Sequence, residues 1–198
     1  RLAREGMRFT QAYAAAAICS PTRAAILTGK SPARLDMTIW HEGAVRGGSK
    51  NKRLLEAKAE ANLPLAEVTL AELFKKQNYF TAHIGKWHLG FLEDGYDKPL
   101  PGGPVDRGFD SFFGIRASTD IPPYFYIRGD RAVSPPTGTI EASRSEGWSP
   151  IQGAFWRAGG IAPDLNLHEV LPKFTDGAVK IIADHSEADT VDPLMLYL

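Results

Sequence analysis

Apolar and polar positions alternate at the start of the chain. Met7, Phe9 and Gln11 fall on one side and Arg8 and Thr10 on the other, which predicts an extended strand over 7–13. Arg1 to Gly6 before it reads as the last turns of a helix, with Gly6 as its cap. A short helix is expected between Ser20, a good N-cap, and Gly29, with Pro21 in its first turn and Pro32 blocking continuation. Lys50 to Ala61, rich in charge and alanine, reads as an exposed helix. The clearest unit follows. Thr69-Leu70-Ala71-Glu72 fits a capping box, Leu70, Leu73 and Phe74 share a helical face, and Asn78 can end the helix left-handed. Tyr79 to Ile84 then runs as a strand into the loop Gly85-Lys86-Trp87-His88-Leu89-Gly90. Helix, tight turn, strand and polar loop is the grammar of an α/β sheet protein.

Residues 91–163 hold most of the prolines and many glycines, and are expected to form a loop-dominated excursion packed through Phe109, Phe112, Phe113, Tyr124 and Tyr126. A last helix is expected from about Pro172 to His185, with Phe174, Ala178, Ile181 and Ile182 at helical spacing. Pro193 to Leu198 opens a buried strand and stops inside it. A start in mid-helix and an end in mid-strand set the expectation of an excerpt, one partial domain over 1–198 with no second domain.

Composition narrows the function. Lysine plus arginine balance aspartate plus glutamate, so the formal charge is zero and no basic face for nucleic acid emerges. No apolar run reaches the length of a membrane span. Cys19 is the single cysteine, which excludes a disulfide framework and leaves either a small core residue or a chemically used one.

The neighbours of Cys19 decide between these. At the entrance of a helix, free backbone N–H groups and the dipole favour negative charge. Arg23 lies one helical turn on, which brings its guanidinium towards Cys19. Such a place suits an oxyanion substrate, sulfate or phosphate. Downstream, residues two apart in an extended segment share a side, so Lys86 and His88 can converge on one ligand.

Cys19-Ser20-Pro21-Thr22-Arg23, followed by Leu27-Thr28-Gly29, resembles the signature of the type I sulfatases of the alkaline-phosphatase-like superfamily. Gly85 to Gly90 resembles that family's second hallmark, and Arg107-Gly108-Phe109-Asp110 with Gly114 resembles a third, mainly structural one. The resemblance implies an α/β fold: a mixed sheet flanked by helices, incomplete here at both ends. It implies sulfate ester hydrolysis, with Cys19 oxidised to formylglycine by a formylglycine-generating enzyme and serving also as a ligand to calcium. Arg23 would support the formylglycine, Lys86 would bind the sulfate group and His88 would hydrogen-bond the formylglycine hydroxyl. Ser118 resembles a hydroxyl that helps hold the sulfate, and Asp120 an acid near the pocket mouth. Both also read as loop residues capping their own backbone.

The family's paired aspartates, its Asp-Asn pair, its second histidine and its second lysine have no counterpart in this chain, so the segment alone is expected to be inactive, and poorly folded because its sheet is missing strands. The implied substrate is an aryl sulfate or a sulfated carbohydrate, and the implied compartment is periplasmic or secreted. Two other readings stay open: a phosphonate or phosphodiester hydrolase of the same superfamily, and a non-catalytic relative that binds sulfated glycans. Thr28-Gly29-Lys30-Ser31 imitates a phosphate loop but lacks its first glycine and the strand before it. His41-Glu42 and His168-Glu169 lack the second histidine of a zinc protease helix. His83 is expected in or at the edge of the core. Trp40, Trp148 and Trp156 read as packing or substrate-lining residues.

Overall fold

The structure is a computed structural model that describes residues 1–46, 53, 57–146, 154–188 and 191–198. The expected strand over 7–13 is absent: Met7, Phe9 and Tyr13 are exposed and no neighbouring strand among the described residues offers them a ladder. A single turn, α1 (Leu2–Glu5), precedes that segment. Next comes α2 (Cys19–Thr28), ended by Gly29 in the left-handed conformation, as its missing Cβ permits. Ile18, not Ser20, occupies the N-cap position, so the helix starts two residues earlier than the capping pattern suggests. The reason is tertiary, because the Ser20 hydroxyl is engaged elsewhere. A short helix, α3 (His41–Arg46), follows. Half of the exposed helix expected over 50–61 lies outside the described residues, and 57–61 are not helical.

The capping box at α4 (Leu70–Lys75) is present as expected. The Glu72 N–H donates to Thr69 Oγ1 at 3.2 Å and the Thr69 N–H to Glu72 Oε2 at 2.8 Å. Its buried face is centred on Ala71, while Leu73 points to solvent. Asn78 takes the left-handed conformation and turns the chain into β1 (Phe80–Lys86). Thr81 to Gly85 are buried throughout, as a strand covered on both faces should be.

The loop-dominated excursion contains β2 (Ser111–Ile115), β3 (Tyr126–Arg128), β4 (Arg131–Ala132) and a separate antiparallel pair, β5 (Gly138–Ile140) with β6 (Gly159–Ile161). The long helix α5 (Val170–Glu187) leads to β7 (Leu194–Tyr197). The main sheet has the order β4-β3-β2-β1-β7, with β2 and β7 parallel to β1, β3 antiparallel to β2 and β4 antiparallel to β3. Gly177 of α5 rests on Ile84 and Phe113. The opposite face of β1 presents His83 to Phe109, Phe112 and Tyr197, and Arg23 of α2 lies over the Tyr197 ring. This is the mixed sheet flanked by helices expected from the sequence. No helix among the described residues is long and apolar enough to cross a membrane.

Arg107 to Asp110 is built into this frame. Buried Arg107 donates through Nη2 to the carbonyls of Pro64 (3.1 Å) and Glu67 (2.7 Å). Asp110 Oδ2 accepts from the Thr81 N–H at 3.0 Å and its hydroxyl at 2.9 Å, and Lys75 pairs with Oδ1 at 2.6 Å. Burial pulls the Asp110 carboxyl up, but Lys75 and Thr81 outweigh it and hold the pKa below the usual range. A depressed carboxylate stabilises the fold above its unfolded pKa of about 3.9 and loses that contribution as pH falls through the lower folded value. Asp110→Asn is therefore expected to cost about 1–3 kcal/mol at neutral pH. That difference should shrink to nothing in strong acid, as read from urea midpoints across pH.

Candidate active site

Two motifs far apart in sequence, together with Ser118 and Asp120 after β2, meet at the carboxyl ends of the parallel strands β1 and β2, the usual place for ligands on such sheets. The ladder between β1 and β2 continues past its last regular pair. The Trp87 N–H donates to the Ile115 carbonyl at 3.1 Å and the His88 N–H to the Arg116 carbonyl at 2.9 Å. His88 has a left-handed backbone (φ 56°). Trp87 is fully buried between the two candidate residues and anchors the turn by donating Nε1–H to the Gly90 carbonyl at 2.8 Å.

Helix α2 is stitched to this turn from its first two residues onward. The Ser20 hydroxyl donates to the His88 carbonyl at 2.7 Å and accepts from the His41 N–H at 3.2 Å, tying α2, the turn and α3 together. Arg23 donates through Nε to the Trp87 carbonyl at 2.8 Å and through Nη2 to the Lys86 carbonyl. Its role includes joining the two sequence motifs as well as placing positive charge near residue 19.

Cys19 sits half-buried in the first turn of α2. Burial alone would raise its thiol. The hydrogen bond and charge of His88, then the charge of Lys86 and the N–H of Ser20, outweigh that and bring the pKa down to about 7. Lys86 is partly buried, and burial together with Arg23 pushes its pKa down against the countering charges of Cys19 and Asp120. Lys86 and His88 both lie close enough to Cys19 to act on its thiol.

Sequence reading missed Glu42. His88 Nε2 donates to Glu42 Oε2 at 2.7 Å, and Glu42 Oε1 pairs with Arg116 at 3.0 Å. Arg116 in turn reaches Glu93 at 3.3 Å. Burial would lift the Glu42 carboxyl, but the hydrogen bond and charge of His88 and the charge of Arg116 bring it down to about 2. Burial opposes a proton on His88, yet hydrogen bonds with Cys19 and Glu42 and the Glu42 charge raise its pKa. With Nε2 engaged by Glu42, buried Nδ1 has no geometrically regular hydrogen bond among the described residues and is left for residue 19. No local signal points to Glu42, which lies 46 residues from His88.

Ser118 and Asp120 follow β2 and line the same cleft as Cys19, which encloses about 440 Å³. The Ser118 hydroxyl donates to Asp120 Oδ1 at 2.6 Å, and Arg157 pairs with Asp120 Oδ2 at 2.6 Å. Burial lifts Asp120, while Ser118 and Arg157 hold its pKa below the usual carboxylate range. Of the tryptophans, Trp40 lines the cleft, Trp156 bridges to Ser143, and Trp148 lies outside the described residues. His83 is buried in an aromatic cage, where burial and the Arg23 charge keep it neutral. Lys30, from the false phosphate loop, pairs with Glu67.

Residues 1–184 match the family model described as sulfatase. Arylsulfatase G of Mus musculus is 41% identical over an alignment that covers 100% of this chain and 34% of that protein. Arylsulfatase A of Bos taurus is 36% identical over 76% of the chain and 25% of its own length. Steryl-sulfatase of Mus musculus is 44% identical over 58% of the chain and 17% of its own length. The chain thus spans about a third or less of these curated relatives. Among solved structures, a sulfatase from work on glycosaminoglycan metabolism by Bacteroides thetaiotaomicron superposes with a TM-score of 0.63 at 22% identity, covering 93% of this chain and 41% of that one. A sulfatase from Pseudoalteromonas sp. superposes with a TM-score of 0.50 at 21% identity, over 92% of this chain and 33% of that one.

Proposed function

Since the chain belongs to the sulfatase family, we propose that the protein carrying it hydrolyses sulfate esters in the cleft over Cys19. The observation that supports this reading is the convergence on Cys19: Lys86 and His88 stand beside it, and Arg23 binds the backbone that carries both.

In this reading a formylglycine-generating enzyme oxidises Cys19. As an aldehyde hydrate, residue 19 supplies two oxygens on one carbon, one to attack sulfur and one whose proton loss expels sulfate. The surroundings suit such a group, because buried Nδ1 of His88 lacks a regular hydrogen bond and the side chain of residue 19 opens into the cleft. His88 holds a proton at Nε2 against Glu42 and uses Nδ1 to hold or accept a proton of residue 19. Lys86 supplies charge to the sulfate oxygens. Arg23 and the free N–H groups of the first turn of α2 support negative charge at residue 19. Ser118 and Asp120 meet the substrate at the cleft wall.

The family uses a divalent metal, calcium in this reading, with residue 19 as one ligand. Among the described residues no group of three or more His, Cys, Asp or Glu is placed to hold it. The substrate is an aryl sulfate or a sulfated carbohydrate, and the compartment is periplasmic or secreted.

The test is the tryptic peptide from Phe9 to Arg23, which contains the only cysteine of this chain. From full-length protein made with the maturation machinery, mass spectrometry is expected to find aldehyde or its hydrate at residue 19. An intact thiol, in a host that converts a control sulfatase, would sink formylglycine chemistry and favour a protein that only binds sulfated glycans. Faster turnover of an aryl phosphodiester than of an aryl sulfate would instead make it a phosphodiester hydrolase.

A further inference from the structure

The cleft over Cys19 is larger than a sulfate group needs. At about 440 Å³ among the described residues it falls within the range of small-molecule sites. Its charges are unevenly compensated. Glu42 is held by His88 and Arg116, and Asp120 by Arg157 and Ser118. Arg46 also lines the cleft, from the last turn of α3, is exposed, and has no ionic partner among the described residues. Just before α3, Trp40 lines the same cleft with 39% of its surface open.

We propose that this part of the cleft is a subsite for a sulfated saccharide bearing a second anionic group, Trp40 stacking on a sugar face and Arg46 pairing with the second anion. The inference rests on the sulfate ester reading and specifies its substrate class. An indole face suits the C–H face of a pyranose, whose hydroxyls need polar partners at its edge. Ser118, Asp120 and Arg157 supply those on the cleft wall. A lone guanidinium is matched by a carboxylate or a second sulfate, which it can hold with two parallel hydrogen bonds. A single-charge aryl or steroid sulfate would cover the indole but leave Arg46 without a counter-ion.

Full-length matured protein would be assayed for sulfate release from 4-nitrophenyl sulfate and from uronate-containing disaccharides sulfated at different positions. One disaccharide is expected to give the higher kcat/KM. Arg46→Ala should lower the ratio of disaccharide to aryl sulfate kcat/KM by about tenfold or more, the scale of one charge-assisted contact. Arg46→Lys should restore part of it, and Trp40→Ala should lower the same ratio mainly by raising KM for the disaccharide. Should Trp40→Ala fail to fold, the arginine pair decides alone. Aryl sulfate preferred by the wild type, or a ratio unmoved in Arg46→Ala, overturns the subsite while leaving sulfate ester hydrolysis intact. No sulfate released from any ester overturns both.

Discussion

Replacing Cys19 with alanine is expected to lower aryl sulfate turnover by the full-length protein on the order of 10⁴-fold or more, the scale reached when a nucleophile is removed from an otherwise intact site. The fold should survive, because Cys19 is only half-buried and the contacts joining α2 to the turn after β1 come from Ser20 and Arg23. Unchanged urea midpoints would separate loss of chemistry from loss of structure. Cys19→Ser adds a sharper comparison. A serine keeps one hydroxyl in the field of Lys86, His88 and Arg23, yet lacks the second oxygen that lets a hydrate expel sulfate. It should therefore remain within about tenfold of the alanine variant in multiple turnover, each tenfold being about 1.4 kcal/mol of barrier. Alanine activity near wild type would remove residue 19 from the chemistry. Serine activity near wild type would replace the hydrate with a simple alkoxide.

The largest stability effect is expected at Trp87. Its side chain is fully buried, its Nε1–H meets the Gly90 carbonyl, and it packs against His83. Trp87→Ala should cost about 3–5 kcal/mol, as emptying a buried aromatic site does. Trp87→Phe keeps most of the packing and loses the hydrogen bond, so it should cost about 1–2 kcal/mol plus a smaller packing loss. Because Trp87 stands between Lys86 and His88, activity under folding conditions should fall in both variants, and further in alanine. A Trp87→Ala midpoint equal to wild type would refute the anchoring role.

Much of this was legible in the sequence because it is written in local chemistry. The capping box at Thr69 and Glu72, the left-handed Asn78, the glycine stop at Gly29 and the buried run of β1 each depend on residues within a turn of one another. Cys19, Arg23, Lys86 and His88 were also found there, because their two motifs are contiguous and chemically unusual.

Tertiary structure decided the rest, since burial and long-range hydrogen bonds have no sequence spacing. Alternation over 7–13 gave no strand, because a strand exists only beside a partner that its own residues do not specify. Ser20 has the chemistry of a helix cap, but the nearby His88 carbonyl and His41 N–H engage its hydroxyl. Glu42 looked like a failed zinc motif until folding placed it on His88 and beside Arg116. Sequence alone determined which residues carry the candidate chemistry and the strand that delivers Lys86. Only the packing of α2 and α3 against the ends of β1 and β2 shifted the proton affinities of Cys19, Lys86 and His88, because burial and charged neighbours move a pKa.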